Sequence, residues 1–427
     1  MDDLSKEKSS RISGFYKLPI EERLKNIAEF AELSREEVET LKSGGLAIDL
    51  ADRMIENVVG TMGYPLGVAV NFKINGRDYL VPMVLEEPSV VAAASNMARI
   101  MRNGEGIKSS STDPVMIGQI QILNVANPEK KREDILADKA EILEFANQQD
   151  PTLVKFGGGA KDLEVRLLDS RVGPMMVVHL FVDCRDAMGA NTVDTMCEAL
   201  ASKMEKITGG KVLLRILSNL ADRRLVRAQA LVLKEDLEGE EVVDGIVAAS
   251  AFAEADPYRA ATHNKGIMNG VVAIALATAQ DHRAIEAGAH SYAARSGHYT
   301  ALTKWEKTPD GNLRGRLEMP MPVGTVGGST RIHPVSKVAL RVMGIQSARE
   351  LAEVMGAVGL AQNLGALKAL ATEGIQRGHM KLHARNLVVM AGAEGGLADK
   401  AVEELIASGD IRFDRAVAIV KKLRGEG

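Results

Sequence analysis

Lys265 stands in the run Thr262-His263-Asn264-Lys265-Gly266-Ile267-Met268-Asn269-Gly270, which is polar and glycine-bounded between apolar stretches. An ammonium held there can stabilise negative charge building on a reacting oxygen. The plainer alternative is a surface lysine, the usual fate of the residue type. Glu86 and Glu87 precede Pro88, where the apolar run Val81–Leu85 gives way to an alanine-rich segment. A carboxyl buried at such a strand-to-helix junction is suited to deliver a proton, and a solvated one only complements the helix dipole. Asp281, in Ala279-Gln280-Asp281-His282-Arg283-Ala284, follows an apolar helix and reads equally as a helix N-cap or a site carboxylate. His379 offers the side-chain acid best matched to neutral pH. His383 lies four residues on, but Met380 stands where a zinc-binding HExxH has its glutamate, and no cysteine–histidine cluster supplies further ligands. No metal site is expected, and His383 reads as a structural helix residue.

A nucleotide would need a different cradle from the usual ones, because neither GxGxxG nor GxxxxGK[ST] occurs. The best substitute is Asp186-Ala187-Met188-Gly189-Ala190-Asn191, between a strand ending near Val182 and an amphipathic helix expected from Thr192. Gly189 lets backbone approach a ligand, and the helix start offers unpaired N–H groups to a pyrophosphate. An ordinary strand–loop–helix turn capped by Asn191 fits the same residues.

These groups must be positioned by a chain of 427 residues, 46% hydrophobic and 26% charged, which is enough for two or three domains with a sizeable core. A net charge of −4 with both signs interspersed leaves no basic footprint for nucleic acid. The start, MDDLSKEKSSR, lacks the apolar core of a secretory signal, and no run approaches the ~18 apolar residues of a membrane span. Cys184 and Cys197 form no CxxC and no disulfide framework, and they fit a reducing cytoplasm.

Ser34 with Glu37 predicts a capped helix start, and Asn75-Gly76 between alternating segments predicts a hairpin of Val68–Ile74 with Asp78–Leu85. From about 113 the pattern becomes strand (Met116–Val125), helix (Arg132–Gln148), strands (Leu163–Leu168, Met175–Val182), helix (192–207) and strand (Lys211–Leu217). That order predicts a small ferredoxin-like module of antiparallel pairing, inserted into a larger, mostly helical unit. The fold class is therefore α+β. The expected organisation is a large domain from 1–112 and 219–377, a small nucleotide-binding domain at 113–218, and a C-terminal helical flap at 378–427. Val271–Ala277 is apolar but short and reads as a buried core helix.

Asp186–Asn191 resembles a signature of the 3-hydroxy-3-methylglutaryl-CoA (HMG-CoA) reductases. The likeness extends to Glu56-Asn57-Val58-Val59-Gly60, to Glu86–Ser95, to Asp256–Gly266 and to Gly378-His379-Met380, in order and at family-like spacing. The short form without a membrane anchor is similar to the class II, bacterial kind. The resemblance implies interconversion of HMG-CoA with mevalonate and coenzyme A, through two hydride transfers and a mevaldehyde intermediate. It implies Lys265 as the cation on the reacting oxygen, Glu87 as general acid, Asp281 beside the lysine in a shared hydrogen-bonded network, and His379 as the acid for the departing thiolate. It implies Ser89 and Arg259 as anchors of the substrate carboxylate, with Asn219, Asn269 and Gln362 as further substrate contacts. It implies cofactor contacts at Asp186, Met188, Gly189 and Asn191, and Asp150 as an NAD-selecting aspartate, so NADH is expected ahead of NADPH.

The family likeness also implies a cytoplasmic homodimer with interfacial active sites, in which lysine and glutamate can come from different chains. Assembly beyond the dimer is left open, as is the CoA-phosphate contact near Tyr16-Lys17. The C-terminal segment would close as a flap hinged at Gly374 and Gly378. No membrane or nucleic-acid partner is expected. Two competing readings are an acyl-CoA transferase or thiolase acting through a covalent cysteine, and a non-catalytic CoA-binding scaffold.

Overall fold

The computed structural model describes residues 8–372 and 375–425, the side chains of 375–382 apart. The hairpin forms where Asn75 and Gly76 both take positive φ (50° and 84°), the requirement of a tight turn matched to strand twist. It joins β1 (Leu66–Ile74) to β2 (Arg77–Val84), with Ile74 opposite Arg77. The remaining strands are β3 (Ile107–Ser111), β4 (Val115–Leu123), β5 (Gly159–Leu168), β6 (Met175–Asp183), β7 (Lys211–Ser218), β8 (Leu225–Val232), β9 (Thr303–Lys307) and β10 (Leu313–Pro320). Among the described residues they make a six-stranded sheet, β2-β1-β3-β8-β10-β9, and a four-stranded one, β5-β6-β4-β7.

The small sheet is antiparallel throughout and has the ferredoxin-like order. Strands β3 and β8 pair directly in the large sheet, although the residues between them build the small one. The α+β class is as the residue pattern predicts. The long helix expected over 132–148 is instead two, Pro128–Ala137 and Lys139–Asn147, parting at Asp138, a weak helix former.

Each body has its own hydrophobic cluster. The largest joins the six-stranded sheet to the helices Val90–Met101, Pro257–Ala277 and Ala348–Ala371. A second lies between the small sheet and its helices, and a third unites the C-terminal helices Ile375–Met390, Gly395–Ala407 and Phe413–Arg424. The Ile375–Met390 helix starts ahead of Gly378, so that glycine is an interior helix residue rather than a hinge. Gly374 lies outside the described residues.

Ala348–Ala371 is long and apolar enough to cross a membrane, but its most apolar window is 67% buried, as the central core helix of the large body. It approaches Pro257–Ala277 closely because Gly270 carries no side chain: a Cβ there would lie 3.1 Å from Cβ of Gln362. That close crossing brings Gln362 and Asn363 alongside the lysine run.

Candidate functional site

A cavity of about 690 Å³ opens beside the start of the Val90–Met101 helix, between Pro257–Ala277 and Ala348–Ala371. Glu87, Ser89, Arg259, Lys265, Asn269 and Gln362 all line it. Lys265 Nζ donates to Glu87 Oε2 at 3.0 Å across 178 residues of sequence. The lysine does not occupy a polar link between helices. It sits within one continuous 21-residue helix, where positions 259, 262, 266 and 269 recur at the helical period and face the cavity with it.

Two expectations need correction here. The Lys265–Glu87 pair forms within a single chain. Moreover, the Lys265 side chain is 61% exposed and that of Glu87 35%, so the burial that would suit the carboxyl to deliver a proton is not supplied by these elements alone. Glu86 is exposed, in keeping with its solvated alternative.

Arg259 is half-buried and forms no ion pair among the described residues, which sets aside a surface ion pair; burial holds its pKa below the usual range. Asp256 caps its helix by accepting the Arg259 backbone N–H at 2.9 Å, leaving the guanidinium free for the cavity. Ser89 takes the N-cap position at φ 76° but makes no side-chain capping bond. A non-glycine residue in that region is strained, and such strain collects at functional sites. Asn264 is not a site residue: its amide binds Tyr299 Oη and Thr300 O and accepts from Leu302 N, fixing the 299–302 loop.

Two predicted residues fall elsewhere, and the side chain of a third is not among the described ones. Asp281 is the N-cap of His282–Ala293, accepting from Ala284 N at 3.0 Å with Arg283 at 3.6 Å, and it makes no bond to Lys265 or Glu87 within the chain. The reason is the preceding turn, where Ala279 takes φ 52° and buried Gln280 is tied to Gly324 through both its amide atoms. Asn219 is exposed just past β7 and does not line the cavity. His379 falls on the Ile375–Met390 helix, but its side chain lies outside the described residues.

His263, which the residue pattern left without a role, lines the cavity and is only 2% exposed. Its signal was the same helical register that carries Arg259 and Gly266. Burial, helped by the Arg259 charge, pushes its pKa down to about 4. Its Nδ1 and the Oε1 of Gln362 are buried without hydrogen-bond partners among the described residues.

The Asp186–Asn191 loop leads into the helix Ala190–Thr208, whose N-cap is Gly189 rather than Asn191. Gly189 has φ 109° and caps with no side chain, so the first-turn N–H groups are left for a ligand. What demands glycine there is not the ligand side. A Cβ would sit 2.3 Å from Cys184 Sγ and 2.9 Å from its Cβ. Asp186 spends one carboxylate oxygen on the Ala348 N–H at 2.8 Å, at the start of the core helix. The carbonyl of Met188, with that of Ala187, accepts from buried Arg224 at 2.9 and 3.0 Å, and Arg224 also binds Val323 O. Burial pushes the guanidinium pKa down to about 10. Arg224 thus latches the loop to the large body. Nothing local in the sequence marks it, since its partners lie 36 to 99 residues away.

Asp150 is the N-cap of the short Pro151–Lys155 helix. One of its oxygens accepts from Leu153 N at 2.9 Å and the other from Thr192 Oγ1 at 3.1 Å. The carboxylate is therefore held at the start of the Ala190–Thr208 helix, where a dinucleotide's ribose would lie if its pyrophosphate met that helix end. This set of groups fits a nicotinamide dinucleotide.

Both cysteines are buried, and burial pushes their thiols up to about 11 for Cys184 and about 12 for Cys197. A nucleophilic cysteine needs the opposite shift, which counts against the covalent-cysteine reading. Among the described residues no group of three or more His, Cys, Asp or Glu is arranged to hold a metal ion.

Residues 19–384 match the family model for hydroxymethylglutaryl-coenzyme A reductase. The 3-hydroxy-3-methylglutaryl-coenzyme A reductase of Archaeoglobus fulgidus is 58% identical over 416 residues, covering 97% of this chain and 95% of that protein. The probable reductase of Borreliella burgdorferi is 34% identical over 392 residues, with 88% of each chain covered. Among solved structures, a class II reductase from Streptococcus pneumoniae matches with TM-score 0.83 and 43% identity, covering 96% of this chain and 99% of that one. The same organism's enzyme bound to NADPH in open conformations matches with TM-score 0.82 and 44% identity, covering 84% and 99%.

Proposed function

The chain belongs to the hydroxymethylglutaryl-coenzyme A reductase family, an oxidoreductase family, and from that premise we propose how its residues share the work. The observation that carries the reading is the Lys265–Glu87 pair at 3.0 Å in one cavity with an Arg259 that has no acidic partner among the described residues. Arg259 grips the substrate carboxylate, and the uncommitted hydroxyl of Ser89 assists. Asn269 and Gln362 flank the acyl chain between that anchor and the lysine.

The Lys265 ammonium meets the thioester oxygen and later the aldehyde oxygen, where negative charge grows during each reduction. Glu87, bonded to that ammonium, delivers the proton to the aldehyde oxygen. His379 protonates the CoA thiolate. A nicotinamide cofactor, when bound, supplies the hydrides. The first-turn N–H groups after Gly189 receive its pyrophosphate, Met188 and Asn191 contact it beside them, and Asp186 holds the loop in place.

Asp150 accepts a ribose hydroxyl and repels a 2′-phosphate, so we propose NADH as the preferred carrier. The Streptococcus pneumoniae relative was solved with NADPH, which makes the ratio of the two a needed measurement.

Homodimerisation is part of the proposal. Its support is the exposure of Lys265, the position of Asp281 away from the pair, and the exposed apolar side chains Ile55, Val59, Met62 and Tyr64 around the Glu56–Gly60 box. A partner copy would bury this surface and complete the acid–lysine network. Three of the hydrophobic clusters support a division into a large body, an inserted small domain and a C-terminal flap, and the buried free thiols suit a cytoplasmic setting. The test is loss of NADH absorbance on adding HMG-CoA, repeated with Lys265→Ala on HMG-CoA and on mevaldehyde. The variant should lose about 10²–10³ in kcat on both while keeping its fold. Wild-type rates on both would overturn the assignment.

A further inference from the structure

Two residues that line the cavity each carry a buried polar atom with no hydrogen-bond partner among the described residues. The atoms are His263 Nδ1 and Gln362 Oε1, on residues 2% and 6% exposed. Buried polar atoms without partners are rare and costly, so a pair of them on residues lining one cavity calls for an explanation.

The bonding around His263 decides what its free nitrogen is. Trp305 Nε1 can only donate, and it does so at 2.7 Å to Asn363 Oδ1. The Thr303 hydroxyl donates to the same oxygen at 2.9 Å. With its proton spent, Thr303 Oγ1 accepts at 2.5 Å from His263 Nε2. The 3.2 Å approach of Asn363 Nδ2 to that ring nitrogen is then a contact and not a bond. Burial keeps the ring neutral at ordinary pH. The imidazole proton is therefore on Nε2, and Nδ1 is a bare lone pair.

Both orphans are acceptors, and they await a donor. The reading of the site given above, on which this inference rests, places an acyl chain with three oxygen functions in the cavity. Its carboxylate goes to Arg259 and Ser89 and its thioester oxygen to Lys265, and neither carries a proton to give. The remaining function, the tertiary 3-hydroxyl, lies between them and is the only one that donates.

We propose that His263 Nδ1, supported by Gln362 Oε1, is the acceptor for the substrate's 3-hydroxyl, which makes His263 a specificity-determining residue. Asn363, Thr303 and Trp305 hold the imidazole in the required tautomer. A substrate lacking the hydroxyl leaves His263 Nδ1 buried and unsatisfied, and the site discriminates against it for that reason.

The experiment compares kcat/KM for HMG-CoA and for 3-methylglutaryl-CoA, which lacks the hydroxyl, in the wild type and two variants. The wild type should favour HMG-CoA by at least about tenfold, the equivalent of one buried hydrogen bond. His263→Gln keeps an amide donor near Thr303 but offers no acceptor at the Nδ1 position. Its preference should collapse toward unity through loss on HMG-CoA alone. His263→Asn places an amide oxygen near Nδ1 and should keep most of the preference, although it breaks the bond to Thr303. Gln362→Leu reads the same ratio should His263→Gln fail to fold.

Equal slowing on both thioesters in His263→Gln, or an unchanged ratio, overturns the proposal and leaves the site reading intact. A wild type inactive on both thioesters overturns the site reading and this inference with it.

Discussion

Gly189→Ala tests how the cofactor loop is built. The native φ of 109° lies outside the regions open to alanine, a strain of about 1–3 kcal/mol. The added Cβ would lie 2.3 Å from Sγ of Cys184 and 2.9 Å from its Cβ, and Cys184 is 1% exposed with no room to withdraw. Overpacking of that kind costs about 1–3 kcal/mol. The two effects together amount to about 2–6 kcal/mol, a large share of a domain's stability. Equilibrium urea unfolding followed by circular dichroism measures it. Trp305, the single tryptophan, is buried in the large body and reports that body separately by fluorescence. Because Cys184 packs in the small sheet's hydrophobic cluster and Gly189 caps the helix on that sheet, the dichroism midpoint should fall further than the fluorescence midpoint. Cys184→Ala in the same chain removes Sγ but not the strain or the 2.9 Å contact. It should restore about 1–2 kcal/mol, a coupling that a double-mutant cycle isolates. Loss of under about 0.5 kcal/mol in the single variant, or no coupling in the double, would refute the reasoning.

Asp150→Asn should lower the ratio of kcat/KM for NADH over NADPH by about tenfold, because the charge opposing a 2′-phosphate is gone while Thr192 keeps a partner; a wild type that already prefers NADPH would remove Asp150 from the selecting role. Arg224→Met leaves the carbonyls of Ala187, Met188 and Val323 without their donor and should cost about 3–5 kcal/mol, with weakened NADH binding by fluorescence titration. His263 carries a pH signature: its folded value of about 4 lies below the ordinary 6.5, so the unfolded chain takes up this proton first as pH falls. Stability from this group is full above about pH 6.5 and declines toward pH 4 by about 3 kcal/mol, so the wild-type minus His263→Gln difference in unfolding free energy should slope over that window and be flat above it.

Much of the fold is legible in local residue pattern. Ser34 and Glu37 form the reciprocal capping box that their spacing predicts, and Asn75-Gly76 makes the hairpin. The strand and helix order after residue 113 produces the four-stranded antiparallel module. These features depend on neighbours within a few residues, whose backbone preferences and hydrophobic period are written in the chain. Glu87, Ser89, Arg259 and Lys265, which line the cavity, likewise stand in motifs, but the roles of His263 and Asn363 do not announce themselves.

What those residues touch is a different matter. Lys265 reads as part of a polar link because Gly266 and Gly270 look like breakers, yet the packing of Ala348–Ala371 against those glycines makes one continuous helix of the region. Glu87 meets Lys265, Asp150 meets Thr192, and Arg224 meets the carbonyls of the cofactor loop, all across long stretches of chain. The same holds for His263, whose free nitrogen is defined by Thr303 and Asn363 from other elements. Local propensity therefore determined which elements form and which residue types stand ready for chemistry. The close approach of distant helices decided which of those groups are paired, which are buried, and which still lack a partner, because hydrogen bonds and desolvation depend on distance in space.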